Sequence, residues 1–294
     1  MVFVVSADIL VTGGQGQLAS ALLRAAPSRV RVVGRPEFDF DKPLTLEALF
    51  EQNPPKVLVN AAAWTAVDAA ESDVAGADRA NHLGPQFLAA LCARHGTRFI
   101  HISTDYVFDG SKGAPYVESD ATNPTGVYGA TKLAGEIAVM EENPDAVILR
   151  TSWVYATHGK NFVLTMLNAA KRMPRLRVVA DQIGGPTNAD DLAQAVLTCV
   201  AKPEGAGGIF HATGSGHTSW HGLATAIFEE AQKHGAPIVP VDPINTADWP
   251  TPAKRPADSR LDCAKLAQEY GAILPPWRES LNRAIAVICA QPAI

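Results

Sequence analysis

A phenol and an ammonium sit four residues apart in Tyr128-Gly129-Ala130-Thr131-Lys132, a spacing that puts both on one face if the segment is helical. A neighbouring Lys⁺ favours phenolate over phenol, so the Tyr128 pKa is expected to fall from its ordinary value of about 10. Such a phenol can protonate the oxygen of a carbonyl being reduced, or take the proton of an alcohol being oxidised. The pattern recurs by chance, and its plain alternative is a surface tyrosine beside a solvated lysine. The upstream context favours chemistry. His101-Ile102-Ser103-Thr104-Asp105-Tyr106-Val107-Phe108 closes an apolar run, and a Thr104 hydroxyl at that strand end can bond the same carbonyl oxygen that Tyr128 protonates.

A second cluster carries no reactive side chains. The run Gly13-Gly14-Gln15-Gly16-Gln17-Leu18-Ala19 follows a short β-rich segment and precedes a helix-like one. Glycines there permit a tight turn and close approach of backbone to a pyrophosphate, whose charge a helix N-terminus favours. The spacing is G-x-x-G-x-x-A, a variant of the commoner dinucleotide fingerprint. After the next β-rich segment stands Gly34-Arg35-Pro36-Glu37. A carboxylate at such a place binds the ribose hydroxyls of NADH, whereas an arginine accommodates the 2′-phosphate of NADPH. Arg35 therefore points to NADPH, with NADH possible if Glu37 turns inward; the plain alternative for Arg35 is a solvated loop charge.

These groups need a scaffold. Strands are expected at Asp8–Thr12, Arg31–Val33, Val57–Asn60, Phe99–Ser103 and Val147–Arg150, with helical stretches between them. That alternation predicts an α/β chain with a doubly wound parallel sheet, because parallel strands need crossover connections. Ser20–Ala26, Leu44–Phe50 and Phe162–Arg172 read as helices, Leu176–Ala180 as a further strand, and Asp242–Pro256 as an extended loop. Residues 1–155 with about 180–205 are assigned to the dinucleotide-binding domain. Residues 156–179 and 206–294 are assigned to an interleaved, smaller α/β substrate-binding lobe. Met1–Val5 reads as an extension running into the first strand, not as a leader.

Composition narrows the classes. With 47% hydrophobic and 19% charged residues the chain is globular, and a net charge of −5 argues against a nucleic-acid surface. No apolar run is long enough to span a bilayer. Cys92, Cys199, Cys263 and Cys289 form no CxxC pair and read as free thiols in a cytoplasmic protein. The eight histidines, His211, His217 and His221 among them, show no metal-ligand spacing, so no metal is expected.

Over nearly its whole length the sequence resembles the dTDP-4-dehydrorhamnose reductases, a branch of the extended short-chain dehydrogenases. The carriers are Gly13–Leu18, Asn60–Asp68, Ser103–Gly110, Tyr128–Gly135, Arg150–Tyr155, Asp181–Thr187, Thr218–Trp220 and Arg255–Leu261. The resemblance implies a Rossmann-like fold and a small nucleotide-sugar substrate. It implies Tyr128 as proton donor, with Lys132 tuning it and holding the nicotinamide ribose. Thr104, Asp105 and Tyr106 would meet the sugar and Trp153 would pack on it. Gly13, Gly16, Gln17 and Leu18 would hold the cofactor, Ala62, Ala63 and Thr65 its nicotinamide side, and Asp39 and Phe40 its adenine. Arg255 and Ser259 are placed near the nucleotide diphosphate, with a structural loop salt bridge as the alternative. Asp39 and Asp41 can also read as a helix-start turn, and Asp68 and Glu71 as surface charges.

Two departures stand out. The acid usual after the second strand is Gly34 here, which sharpens the NADPH expectation. Some members carry acidic residues that hold a divalent cation at a dimer interface; that set is not assigned to positions here, and a monomer or homodimer is expected. The implied reaction is reduction of dTDP-6-deoxy-L-lyxo-4-hexulose to dTDP-L-rhamnose. The alternatives are another nucleotide-linked 4-keto sugar, or a non-catalytic cofactor-binding subunit like that of methionine adenosyltransferase. Intact Thr104, Tyr128 and Lys132 weigh against the latter.

Overall fold

A computed structural model describes residues 8–42, 44–52, 54–237 and 239–290; Met1–Val5 lies outside them. In chain order the elements are β1 (Ile9–Thr12), α1 (Gln17–Ala25), β2 (Val30–Val33), α2 (Leu44–Gln52), β3 (Val57–Asn60), α3 (Val67–Ala70), α4 (Val74–Asp78), α5 (Gly84–His95) and β4 (Arg98–Thr104). Then come α6 (Val127–Glu142), β5 (Val147–Thr151), β6 (Val154–Tyr155), α7 (Phe162–Ala170), β7 (Leu176–Val179), β8 (Ile183–Gly184), β9 (Thr187–Asn188) and α8 (Ala189–Ala201). The chain closes with β10 (Gly208–His211), β11 (Thr218–Ser219), α9 (Trp220–Lys233), β12 (Val241–Ile244), α10 (Ala264–Tyr270) and α11 (Trp277–Ala290).

The main sheet runs β10-β5-β4-β3-β1-β2, all parallel. Side chains alternate between its faces, as the two-residue period of a strand requires. Ile9, Val11, Val59, Ile100 and Leu149 enter one core with Leu22 of α1 and Leu192 and Val196 of α8. Leu10, Leu58, Phe99 and Ile148 enter the opposite core with Leu88 of α5 and Val139 of α6. Burial on both faces explains why the strands read as unbroken apolar runs.

A third cluster joins Tyr155 and Val163 to Leu223 and Ile227 of α9 and Leu281 and Ile285 of α11. Beside it lie three two-stranded pairs, β7 with β12, β8 with β11 and β6 with β9.

Two expectations are corrected. Gly208–His211, assigned above to the second lobe, is the edge strand of the main sheet beside β5, and it buries Phe210 in the α1–α8 core. The presumed loop Asp242–Pro256 begins inside β12, which pairs with β7 across Val241–Ile244. Pro243 had argued for a loop, but an edge strand tolerates a missing amide.

Candidate active site

The carboxyl ends of β1, β3, β4 and β5 open onto a cavity of about 970 Å³, at the upper end of the range for small-molecule sites. One end is built by the turn from β1 into α1. Gly13 has φ +111, and a Cβ there would lie 3.0 Å from the carbonyl oxygen of Ala61. Only glycine suits both conditions, and the outcome is a backbone cradle opening on the N-terminus of α1. Gly16, Gln17 and Leu18 continue this wall, and Arg35, Asp39, Phe40, Ala62, Ala63 and Thr65 line it further along. The residues fit a nicotinamide dinucleotide: a cradle that any Cβ would fill, at a helix start that favours an anion.

Gly34 has a second reason to be glycine. Its Cβ would stand 2.7 Å from the Cα of Gly14, so an acid there would push the glycine turn aside. Glu37 does not turn inward; it pairs with Arg31 of β2. Arg35 is 72% exposed and bridges Asp39 and Asp41, each at 3.1 Å. The amide of Asp41 also donates to the Asp39 carboxylate at 3.1 Å, so the turn ahead of α2 is present as well.

The other end carries the candidate catalytic side chains. Helix α6 starts after Gly126, where the Val127 amide donates to the Glu71 carboxylate at 2.8 Å, an anion placed to favour a helix N-terminus. It stops at Asn143, before Pro144, since the residue preceding proline is pushed out of helical geometry. Tyr128 and Lys132 therefore sit one above the other, and both line the cavity with Thr104, Asp105 and Tyr106. The Tyr128 and Tyr106 rings meet edge to face at 5.7 Å. The Thr104 hydroxyl donates to Asp105 at 3.1 Å and accepts from the Tyr106 amide at 3.2 Å.

The charges differ from the expectation. Burial pushes the Tyr128 phenol up to about 12, with the Thr104 hydroxyl working the other way and the Asp105 charge adding to the rise. Burial brings Lys132 down to about 8, partly offset by Glu136. Desolvation thus sets the phenol, in place of the lysine effect that spacing alone suggested. The Lys132 ammonium instead donates to the Ile102 carbonyl at 2.6 Å. Burial likewise lifts Asp105 to about 7, against the hydroxyls of Ser259 and Thr104, which favour the carboxylate. Behind the site, buried Arg150 grips Glu136 through two hydrogen bonds of 2.9 and 2.6 Å, and Ser103 donates to the same carboxylate at 2.5 Å.

Trp153 forms an apolar wall, lying on Trp220 with ring centroids 3.5 Å apart and planes 9° from parallel. Its φ of +47 is in the left-handed region, unusual for an aromatic residue and held only by strong surroundings. Arg255 and Ser259 do not themselves line the cavity, but each bonds a residue that does, Arg255 to Tyr106 and Ser259 to Asp105. Arg255 pairs with Asp68 at 2.8 Å and also bonds Thr251 and the Ala253 carbonyl, which fastens that loop to α3. Ser259 is buried behind Asp105. Asp68 and Glu71 are half-exposed, and each has a structural partner, Arg255 for Asp68 and the Val127 amide for Glu71. Trp220 and Lys160 are among the lining residues that were passed over as site residues. A tryptophan just after Thr218-Ser219 was visible in the sequence, but nothing local shows what it stacks on.

Residues 7–289 match the model of the family described as RmlD substrate binding domain. The chain is 45% identical over 284 residues to a dTDP-4-dehydrorhamnose reductase of Sinorhizobium fredii, covering 94% of this chain and 96% of that one. The chain belongs to the dTDP-4-dehydrorhamnose reductase family. The crystal structure of a family member from Clostridium acetobutylicum superposes with TM-score 0.90 at 38% identity, covering 95% of this chain and 99% of that one. A Bacillus anthracis member solved in complex with NADP gives TM-score 0.90 at 31% identity, covering 95% and 98%. The fold is accordingly Rossmann-like, and the protein is a nicotinamide-dependent oxidoreductase. Among the described residues there is no cluster suited to a metal ion, and no helix is long and apolar enough to cross a membrane.

Proposed function

We propose that the chain reduces the 4-keto group of dTDP-6-deoxy-L-lyxo-4-hexulose to dTDP-L-rhamnose, with NADPH preferred over NADH. The observation that carries this is the joining, in one cavity, of a glycine cradle at one end with Tyr128, Thr104 and Trp153 at the other. Gly13, Gly16, Gln17 and Leu18 hold the cofactor diphosphate, Asp39 and Phe40 the adenine, and Ala62, Ala63, Thr65 and Lys132 the nicotinamide ribose side. A bound reduced nicotinamide supplies the hydride for carbon 4 of the sugar.

Tyr128 does the remaining chemistry. Its raised pKa keeps the phenol protonated at neutral pH, so the resting enzyme holds an acid ready to donate to the carbonyl oxygen. As that proton leaves, phenolate charge develops beside Lys132, where a fixed cation stabilises it without reorganisation. Thr104 turns its hydroxyl from Asp105 to the sugar oxygen. Trp153 offers a flat apolar face to the sugar ring, and Asp105 and Tyr106 contact its hydroxyls.

The NADPH preference rests on Arg35, the cation beside the cavity's adenosine end, and on the exclusion of an acid at Gly34. Four free cysteines among the described residues support a reducing, cytoplasmic setting. The test is NADPH and NADH oxidation by the purified chain with a panel of nucleotide-linked 4-keto sugars, followed by product identification. The expected product is dTDP-L-rhamnose, and Arg35→Ala should lower kcat/KM for NADPH about tenfold, a loss of about 1.4 kcal/mol, with NADH unmoved. Turnover of a different 4-keto sugar in preference would replace the substrate, and equal use of both cofactors would remove the role of Arg35.

A further inference from the structure

Beneath the cavity the main sheet carries three polar residues where its neighbours are apolar. Thr12 of β1, Asn60 of β3 and His101 of β4 are direct register partners across adjacent strands. All three are fully buried, and Lys132, at the end of the row, is 2% exposed. A buried polar row is costly unless every group finds a partner, and here the partners determine where each proton sits.

The Ala62 amide, in the cavity wall, donates to the Thr12 hydroxyl oxygen and the Asn60 carbonyl oxygen at 3.2 and 3.3 Å. The Thr12 hydroxyl donates to the same Asn60 oxygen at 2.6 Å. The Asn60 amide nitrogen therefore faces His101, 3.0 Å from Nδ1, and that ring nitrogen must accept. A neutral imidazole accepting at Nδ1 carries its proton on Nε2. Nε2 lies 3.4 Å from Lys132 Nζ, so an N–H points at the lysine nitrogen. Protonating the ring is no remedy, because burial and the neighbouring lysine charge hold His101 neutral.

We propose that His101 is a positioning residue for Lys132: locked as the Nε2–H tautomer by Asn60 and Thr12, it sets from beneath the sheet how readily that lysine gives up its proton. An N–H dipole aimed at an ammonium disfavours the charged form, while the neutral amine accepts from that N–H. The other groups around Lys132 are Tyr128 and Glu136 on α6, and Asp105 beyond β4. Glu136 is bound by Arg150 of β5 and Ser103, which leaves it a weaker counter-charge. The consequence for catalysis rests on Lys132 being the partner of Tyr128; the effect on the Lys132 proton does not.

Two measurements on the cofactor-free protein test the device directly. Nitrogen-15 NMR of histidine-labelled protein should show His101 protonated at Nε2 and bare at Nδ1 from pH 6 to 9. An Nδ1–H tautomer or an imidazolium would overturn the proposal. Carbon-13 titration of the Lys132 Cε should give a midpoint that rises by about one pH unit in His101→Phe, which keeps a ring and removes the N–H. His101→Gln, able to accept from Asn60 and present an N–H to Lys132, should restore the original midpoint. His101→Leu serves in place of His101→Phe should the latter fail to fold. An unmoved or lowered midpoint in the apolar variant, or a Gln variant that behaves like it, would overturn the proposal. The alkaline limb of kcat should move with the lysine midpoint. Loss of that correspondence with the titration intact would overturn the catalytic role of Lys132 and leave the action of His101 standing.

Discussion

At the end of the cavity proposed for the nucleotide the wall is the backbone of one turn, Gly13 to Leu18, backed by the short strand ends of β2 and β3. At the end proposed for the sugar it is made of side chains from four separated stretches, Thr104–Tyr106, Tyr128–Lys132, Trp153 and Trp220. The first is shaped by what is missing, Cβ atoms that would collide with Ala61 or Gly14. The second is held by what stands behind it: the buried Glu136–Arg150 pair, Ser259 behind Asp105, and the half-exposed Arg255–Asp68 clamp. A backbone cradle tolerates almost no added atoms, whereas a side-chain site depends on distant partners keeping their charge and position.

That contrast is most strongly tested at the reacting group. Tyr128→Phe should cut turnover by roughly 10²–10⁴-fold while NADPH affinity, read by fluorescence titration, stays unchanged; turnover near that of the parent would dissolve the division between the two ends. Next in size, Arg150→Met strands the Glu136 carboxylate in a site that is 1% exposed. Urea unfolding should show a loss of about 3–5 kcal/mol, largely recovered by adding Glu136→Leu. A loss under about 1 kcal/mol would mean that the sugar end does not lean on this pair.

Asp105 gives a pH-dependent version of the same test. Its carboxyl is held near 7 in the folded chain by burial, against an ordinary value of 3.8. Between those values the unfolded chain releases the proton while the folded chain retains it, so stability falls as pH rises through the window. Asp105→Asn should therefore leave stability unchanged near pH 3.5 and raise it by roughly 2–4 kcal/mol above pH 7, with activity lost. A gain that is the same at both pH values would exclude titration of Asp105 as its cause. The smallest effect is expected at the cradle. Gly34→Ala should cost about 1–3 kcal/mol from overpacking, read as weaker binding of both NADPH and NADH. Selective loss of one cofactor would show that Gly34 acts on the ribose and not through the turn.

Much of this was legible before any coordinates. The five strands through Val147 and the crossover order followed from apolar runs separated by helical stretches. Tyr128 and Lys132 could be paired because a helix repeats its faces over four residues. The edge strand Gly208–His211 was missed, since joining β5 is a tertiary event with no local signature. Strand β12 was hidden by Pro243, whose missing amide matters only if a neighbour needs it. Arg255 and Ser259 matched a family motif, yet motif spacing does not say whether a guanidinium meets a phosphate or Asp68.

By itself, then, the sequence determined the α/β class, the glycine turn, the strand ends and the pairing of Tyr128 with Lys132, the proposed proton donor and its lysine. All of these depend on short-range periodicity and on steric limits within a few residues. The tertiary structure alone decided the charges and the company of those groups. It raised Tyr128 and Asp105 by burial, set Trp153 on Trp220, and lined up Thr12, Asn60 and His101 in register beneath Lys132. Desolvation and strand register depend on segments far apart in the chain, and no local pattern encodes them.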